Sequence, residues 1–214
     1  MREHILDHAE AIFARHGPHS VTIREVARSA HVDPALIHYY YETKVGLFEA
    51  VFMRRAEIVN AERLRSMDSY ERLAGEAITV EGCVESFLEP ILRRSLTGDE
   101  GWKNFFRLVA LVNNTPDWGG EMMTRYFDPV IRRLIDLVRK CLPEARDEDL
   151  FWSYHFLSGA LTLSFSQTGR IDRLSGGRCV SSDLEALYGR MVPFIAAGFR
   201  QVCQSNPPPT KPKK

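Results

Sequence analysis

The chain has 214 residues, 44% of them hydrophobic and 26% charged, which is the composition of a globular protein that can build a core. Lys plus Arg equals Asp plus Glu at 28 each, so net charge alone indicates no polyanionic partner. The four cysteines form no C-x-x-C pair, which disfavours a metal knuckle, and their spacing excludes a dense disulfide framework. With no signal peptide and no apolar run of the roughly 20 residues that span a bilayer, we expect a cytoplasmic protein without membrane contact.

Glycine and proline divide the chain into segments with helical spacing of apolar residues, and no segment alternates as a strand does. The sequence therefore predicts an all-α fold. The first predicted helix covers 3–16, the second begins at Thr22, the third begins at Pro34, and the fourth runs from Lys44 to Arg65. Five longer helices are predicted at 81–97, 101–114, 120–142, 147–168 and 183–204. Between the last two we expect a loop at 169–182, and the polar segment 205–214 predicts a disordered tail.

The second and third predicted helices are short and flank a tight turn. Thr22 and Glu25 have the spacing of a capping box, and Asp33 followed by Pro34 is a strong signal for a helix start. Two short helices joined in this way predict a helix-turn-helix, whose second helix lies in the major groove of DNA.

The stretch DPALIHYYYETK, which contains the third helix, has an unusual concentration of rings that end in a polar atom. Ile37 and Tyr41 are four residues apart, so they share one face and are expected to hold the helix against its neighbours. Tyr39 and Tyr40 then point elsewhere, where a tyrosine hydroxyl can donate to a phosphate oxygen. Lys44 adds a cation at the start of the next helix, beside backbone N–H groups that also bind phosphate.

Three sequence motifs carry a family resemblance. AEAIFARHG (9–17), VTIREVA (21–27) and VDPALIHYYYETKVGLF (32–48) resemble the DNA-binding head of the TetR family of bacterial transcriptional regulators. The resemblance implies a homodimeric, ligand-responsive repressor with nine or ten helices. It also implies a helix-turn-helix domain at 1–56 and a helical effector-binding and dimerisation domain at 57–204. The tail at 205–214 follows them.

Matching positions of the resemblance imply which side chains contact DNA. Arg24 falls where a base is read, and guanine is the natural partner of a guanidinium. Apolar contacts with base edges are implied for Pro34, Ala35 and Leu36. Phosphate contacts are implied for Thr22, Tyr39, Tyr40 and Lys44.

The head departs from the family pattern in three ways. His31 replaces the usual glycine of the turn, which predicts a left-handed or strained backbone there. His38 replaces the commoner tyrosine at another DNA-contact position. No basic arm precedes the first helix, and residues 1–56 hold as many acidic as basic residues, so affinity must come from the placement of charges.

Other chemistry has little support in the sequence. His4 and His8 have a spacing that can hold a metal, but no third ligand is evident and a solvated helix face is the better interpretation. His155 lies among apolar neighbours, which favours a hydrogen-bonded core residue over a catalytic base. With no nucleophile elbow and no phosphate-cradling glycine loop, we expect no enzyme, no cofactor and no metal.

The helix predicted at 147–168 is apolar nearly all round after an acidic first turn, so both of its sides must be buried. One side can face the core of its own domain, and the other requires a partner. The resemblance implies a four-helix dimer interface formed by this helix and the last one. The residues assigned to it are Ser158, Leu161, Phe165, Leu184, Tyr188, Met191, Ile195 and Phe199.

The middle helices carry bulky rings with a few polar atoms among them, a combination that suits an apolar pocket and a mostly apolar effector. A solid aromatic core is an equally good interpretation. The candidate pocket residues are Phe87, Trp102, Phe105, Phe106, Asn113, Trp118, Tyr126, Trp152, His155 and Phe156.

The sequence thus favours a repressor that binds a palindromic DNA operator as a homodimer and is released by a small molecule. The alternative is a helical small-molecule binding or scaffold protein whose head no longer engages DNA. The balanced charge of residues 1–56 favours that alternative.

Overall fold

The structure is a computed structural model that describes residues 1–115 and 118–205, without the side chains of Trp118 and Ser205. The described chain forms ten α-helices and no strand, which confirms the all-α prediction. They are α1 Arg2–His16, α2 Ile23–Ser29, α3 Pro34–Tyr41, α4 Lys44–Ala74, α5 Val80–Thr97, α6 Glu100–Asn113, α7 Trp118–Cys141, α8 Asp147–Ser166, α9 Arg170–Leu174 and α10 Leu184–Ser205. None of these helices is both long and apolar enough to cross a bilayer. The tail predicted at 205–214 lies outside the described residues, except for Ser205.

Local capping chemistry explains the boundaries of the short helices. The Thr22 hydroxyl accepts from the Glu25 N–H, and the Glu25 carboxylate accepts from the Thr22 N–H, so the predicted capping box starts α2. Asp33 accepts from the Ala35 N–H at 2.7 Å, and Pro34 occupies the first turn of α3. Gly17, with φ 75°, ends α1 where an L side chain would be strained.

Two elements differ from the sequence prediction. Helix α4 continues to Ala74, well past Arg65, because Arg133 on α7 pairs with Asp68 and Glu71 along its polar stretch. Helix α9 lies inside the predicted loop. It has only five residues, too few to show helical periodicity, and Asp172 fixes it by accepting from the Ser181 N–H at 3.2 Å.

The described chain divides into two compact units. The first unit holds residues 1–61 and 93–127, and the second holds 62–92 and everything described from 128 onward. In the first unit α1 packs against α6, and rings from α4, α6 and α7 meet around Phe52. The ring centroid of Phe52 lies 5.5 Å from that of Phe105 and 6.0 Å from that of Phe127. In the second unit α8 packs against α10.

A buried ion pair joins α1 to α4 within the first unit. Glu10 is 2% exposed and accepts from Arg55 Nε at 2.7 Å and from an Arg54 guanidinium nitrogen at 3.1 Å. Burial raises the pKa of the Glu10 carboxyl, and both guanidinium groups act against that shift. Arg54 also reaches Asp7 and Glu3, so one carboxylate on the inner face of α1 organises a network on α4.

We expect Glu10→Ala to lower the free energy of unfolding by about 3–5 kcal/mol, because two partly buried guanidinium groups lose their buried partner. The measurement is urea unfolding of the full chain. Glu3→Ala is the matched control, since Glu3 also pairs with Arg54 but its side chain is 74% exposed. We expect about 1 kcal/mol or less from that change. Equal losses for the two variants would contradict a structural role for the buried pair.

Candidate nucleic-acid interface

Helix α3 is anchored through one face. Ile37 is fully buried and Tyr41 is 8% exposed, as their spacing predicts. The Tyr41 hydroxyl donates to the backbone carbonyl of Arg2 at 3.3 Å, which ties the end of α3 to the start of α1. Burial raises the pKa of the Tyr41 hydroxyl, so this group is a neutral donor at physiological pH. The opposite face of α3 is therefore presented in a fixed orientation.

That opposite face carries the side chains assigned to DNA contact. Tyr39 is 79% exposed, Ala35 and His38 are exposed, and Tyr40 is half-buried. Pro34 and Leu36 are also half-buried. The rings of Tyr39 and Tyr40 meet edge to face with centroids 5.3 Å apart, so the two tyrosines form one surface.

A cation beside this surface was missed by the sequence analysis. The Arg2 guanidinium lies 5.5 Å from the ring centre of Tyr40 and 5.8 Å from that of Tyr41. Both distances are within the range of cation–π interaction. The motifs gave no signal for it, because Arg2 lies at the start of α1 and meets α3 only in the folded chain.

The remaining assigned residues differ in how their polar atoms are engaged. Arg24 is exposed on α2. Lys44 is half-buried, and its Nζ donates to the His19 carbonyl at 3.3 Å. The Thr22 hydroxyl donates to the Glu25 carboxylate at 2.8 Å, so its hydrogen is already used and is not directed toward a DNA phosphate. Hydrogen bonds from the backbone and hydroxyl of Thr22 lower the pKa of Glu25, so this carboxylate is ionised next to the proposed contact.

Three histidines of the head have hydrogen-bonding partners in the folded chain. His38 Nδ1 lies 3.0 Å from the Glu42 carbonyl oxygen, so the ring turns toward the end of its own helix. His4 Nε2 lies 2.9 Å from the Ala30 carbonyl oxygen, and His8 Nδ1 lies 2.9 Å from the Ser29 hydroxyl. His4 is exposed and His8 is half-buried, so this face of α1 remains open to solvent, and the two rings also join α1 to α2.

The turn between α2 and α3 has the backbone predicted from its histidine. His31 has φ 53°, which confirms the expected left-handed conformation. We expect His31→Gly to raise the free energy of unfolding by about 0.5–1 kcal/mol, because glycine adopts this region without steric cost. Arg28→Gly is the control, since that residue lies in the last turn of α2, and we expect a loss of about 0.5–1 kcal/mol. Destabilisation by His31→Gly in a urea titration would contradict local strain.

The candidate pocket residues are divided between the two compact units. In the first unit Trp102, Phe105 and Phe106 are buried and in ring contact, while Asn113 and Tyr126 are half-buried. Arginine cations flank Trp102, with Arg55 and Arg94 lying 5.1 and 4.7 Å from its ring centre. In the second unit Phe87 is buried beneath the Arg63 guanidinium, 3.7 Å from its ring centre. The side chain of Trp118 lies outside the described residues.

Three of the candidate pocket residues lie on α8 and are exposed. Trp152 is 52% exposed, Phe156 is 58% exposed, and His155 is exposed between them. Their rings contact one another, with Trp152 stacked on Phe156 at 6.1 Å. They form an outward aromatic surface of the second unit, and the prediction that His155 is a core residue is wrong.

The residues assigned to the dimer interface differ in their exposure. Four of them are buried within their own chain, namely Phe165, Met191, Ile195 and Phe199. Ser158, Leu161, Leu184 and Tyr188 are half-buried. The large apolar side chains that α8 and α10 expose are Phe151, Trp152, Phe156, Leu163 and Phe194.

Two family profiles and several solved structures match this chain. The profile described as "Bacterial regulatory proteins, tetR family" matches residues 5–51, and "Tetracyclin repressor-like, C-terminal domain" matches 85–198. A protein from Rhodococcus sp. described as a TetR-family transcriptional regulator has a TM-score of 0.58 at 15% identity, covering 92% of this chain and 97% of that one. No curated protein sequence matches significantly.

Two further solved structures contain ligands. RolR in complex with resorcinol has a TM-score of 0.50 at 19% identity, covering 97% of this chain and 94% of RolR. A transcriptional regulator from Saccharomonospora viridis in complex with choline has a TM-score of 0.51 at 18% identity. The coverage is 91% of this chain and 94% of that protein. At these identities the likeness concerns the fold.

Proposed function

The chain belongs to the TetR family of bacterial regulatory proteins, and from that premise we propose that it is a repressor that binds a palindromic operator as a homodimer. The observation that carries the proposal is the exposed face of α3, with Tyr39 and Tyr40 held outward by the buried Ile37 and Tyr41. In this proposal Arg24 reads a base, while Tyr39, Tyr40 and Lys44 bind phosphates. Pro34, Ala35 and Leu36 meet the base edges.

Two of the assigned contacts are weaker than the others in this proposal. The Thr22 hydroxyl is already hydrogen bonded to Glu25, and His38 is turned to the Glu42 carbonyl. Arg2 adds a positive charge at this face, because its guanidinium lies against the tyrosine surface. Affinity then comes from a few placed cations, in keeping with the balanced charge of residues 1–56.

A homodimer is supported by the outward faces of α8 and α10. Trp152, Phe156 and Leu163 lie at intervals of four and seven residues on α8, so they form one exposed stripe. Gly159 lies within that stripe, and a Cβ added there would meet open space, which leaves room for a close approach. An exposed apolar stripe of this length is typical of a protein interface. A dimer would place two α3 helices about 34–36 Å apart, one turn of DNA.

The effector is proposed to be a small, mostly apolar molecule bound in the helical body. In the second unit the ring of Phe87 supplies apolar surface, and the interior of that unit is not uniformly apolar. Arg63 is 4% exposed, and burial lowers its pKa to about 10. The resorcinol and choline of the two solved relatives each combine an apolar part with a polar or charged group. Effector binding would favour a spacing of the two heads that misses successive grooves.

The test is selection of binding sites from a random duplex library with the full chain. We expect enrichment of a two-fold symmetric sequence whose half-site centres lie about 10 base pairs apart, with an affinity that falls steeply as salt rises. The alternative, a helical binding protein whose head does not engage DNA, is favoured by the charge balance and by the ionised Glu25 beside Thr22. No enrichment, with a small molecule still bound, would support that alternative.

A further inference from the structure

Two cysteines that are distant in sequence meet within the second unit. Cys83 on α5 and Cys141 at the end of α7 are 58 residues apart, and their sulfur atoms lie 3.7 Å from each other. Cys83 is fully buried and Cys141 is half-buried. Both thiols are free, as are the exposed Cys179 and the buried Cys203. The pair is therefore the one place among the described cysteines where two sulfur atoms are in contact.

A disulfide needs sulfur atoms about 2.05 Å apart, so the two atoms must approach by less than about 2 Å. Rotation about each Cα–Cβ bond is the movement that changes the distance between the two sulfur atoms. We propose that Cys83 and Cys141 are an oxidation site that closes to a disulfide when the protein meets a small-molecule disulfide. The bond would fasten α5 to the end of α7.

The exposure of the two thiols sets the order of the steps. Cys141 is the half-exposed thiol, so its thiolate attacks one sulfur of the reagent and displaces the first reagent thiolate. The sulfur of Cys83 then attacks the Cys141 sulfur of the mixed disulfide and displaces the second reagent thiolate. Two cysteine sulfurs are oxidised, one reagent disulfide is reduced to two thiols, and the two cysteine protons pass to those thiols.

The surroundings make the two thiols slow to react. Burial raises the pKa of both thiols, so the reactive thiolate is scarce at neutral pH. The charged groups that act on the pair are Glu71 on α4, Glu81 on α5 and Arg133 on α7. Arg133 pairs with Glu71, which leaves little net positive charge to stabilise a thiolate. Closing so long a loop restricts the unfolded chain, so oxidation should stabilise this unit.

The experiment uses the full chain with Cys179→Ser and Cys203→Ser, so that only the pair remains. After incubation with oxidised glutathione we expect no free thiol, a linked Cys83–Cys141 peptide in the mass spectrum of a digest, and a higher urea midpoint. Reduction with dithiothreitol should reverse all three. Adding Cys83→Ser should stop the reaction at a glutathione adduct on Cys141. If that variant does not fold, Cys83→Ala tests the same step.

The contrary results are equally specific. Two glutathione adducts without a linked peptide would overturn the proposal. So would two thiols that stay free in this variant, when the same incubation modifies Cys179 in the unmodified chain. Disulfides between chains would overturn it as well. No step requires DNA or an effector, so the outcome is independent of the proposed function.

Discussion

A chain carrying Phe156→Glu is expected to be monomeric at concentrations where the unmodified chain is dimeric. Dimerisation would bury one unpaired carboxylate from each copy, and an uncompensated buried charge costs several kcal/mol. Because Phe156 is 58% exposed in the single chain, the fold itself should be retained. A monomer contacts one half-site, so affinity for the selected duplex should fall by at least about 100-fold through loss of the linked second contact. Sedimentation and DNA titration measure the two effects.

Leu73→Glu is the matched control for this prediction. Leu73 is 86% exposed on α4, outside the apolar stripe of α8, and the substitution adds the same charge. We expect it to leave the oligomeric state and DNA affinity unchanged. A dimeric Phe156→Glu chain with unaltered affinity would refute the proposed interface. Loss of the dimer in both variants would show that added charge, and not the position, is responsible.

The second large effect is expected from Arg24→Ala. A bidentate contact between arginine and guanine discriminates bases by about 1–3 kcal/mol, and a dimer makes it twice, so affinity should fall by about 2–6 kcal/mol. The loss should be accompanied by relaxed sequence preference at one symmetric pair of positions in a repeated duplex selection. Arg24 is exposed and helical, so the free energy of unfolding should change little.

Arg132→Ala separates this effect from a general loss of positive charge. The Arg132 side chain is 68% exposed on α7. Its guanidinium lies 3.6 Å from the carboxylate of Asp128, one turn away. We expect affinity within about twofold of the unmodified chain and unchanged base preference, because Arg132 is not assigned to a DNA contact and an exposed charge is screened by salt. A uniform decrease for both variants, with sequence preference intact, would reassign Arg24 from base reading to general attraction.

The head could be predicted closely because its signals are local. The Thr22–Glu25 capping box, the Asp33–Pro34 helix start and the left-handed His31 each depend on residues a few positions apart. The same holds for the burial of Ile37 and Tyr41, which follows from helical spacing. Motif and periodicity together were sufficient to define both the helix-turn-helix and its exposed face.

The body was predicted less well because its determinants are not local. Helix α8 is apolar nearly all round, so periodicity could not separate the outward Trp152 and Phe156 from the inward Leu157. On α10 the apolar spacing marked Met191, Ile195 and Phe199 correctly as one face, but that face turned out to be the core. Glu10 with its arginine partners and the cysteine pair became visible only once distant segments had met.

The central claim is that the exposed face of α3 meets the DNA duplex. Its most direct test is photocrosslinking with p-benzoylphenylalanine in place of Tyr39, compared with the same group in place of Leu73, using the selected duplex. We predict that the group at position 39 crosslinks to DNA in each half-site, and that excess unlabelled duplex of the same sequence abolishes the product. Equal crosslinking from both positions, or none from position 39 while the protein remains bound, would contradict it.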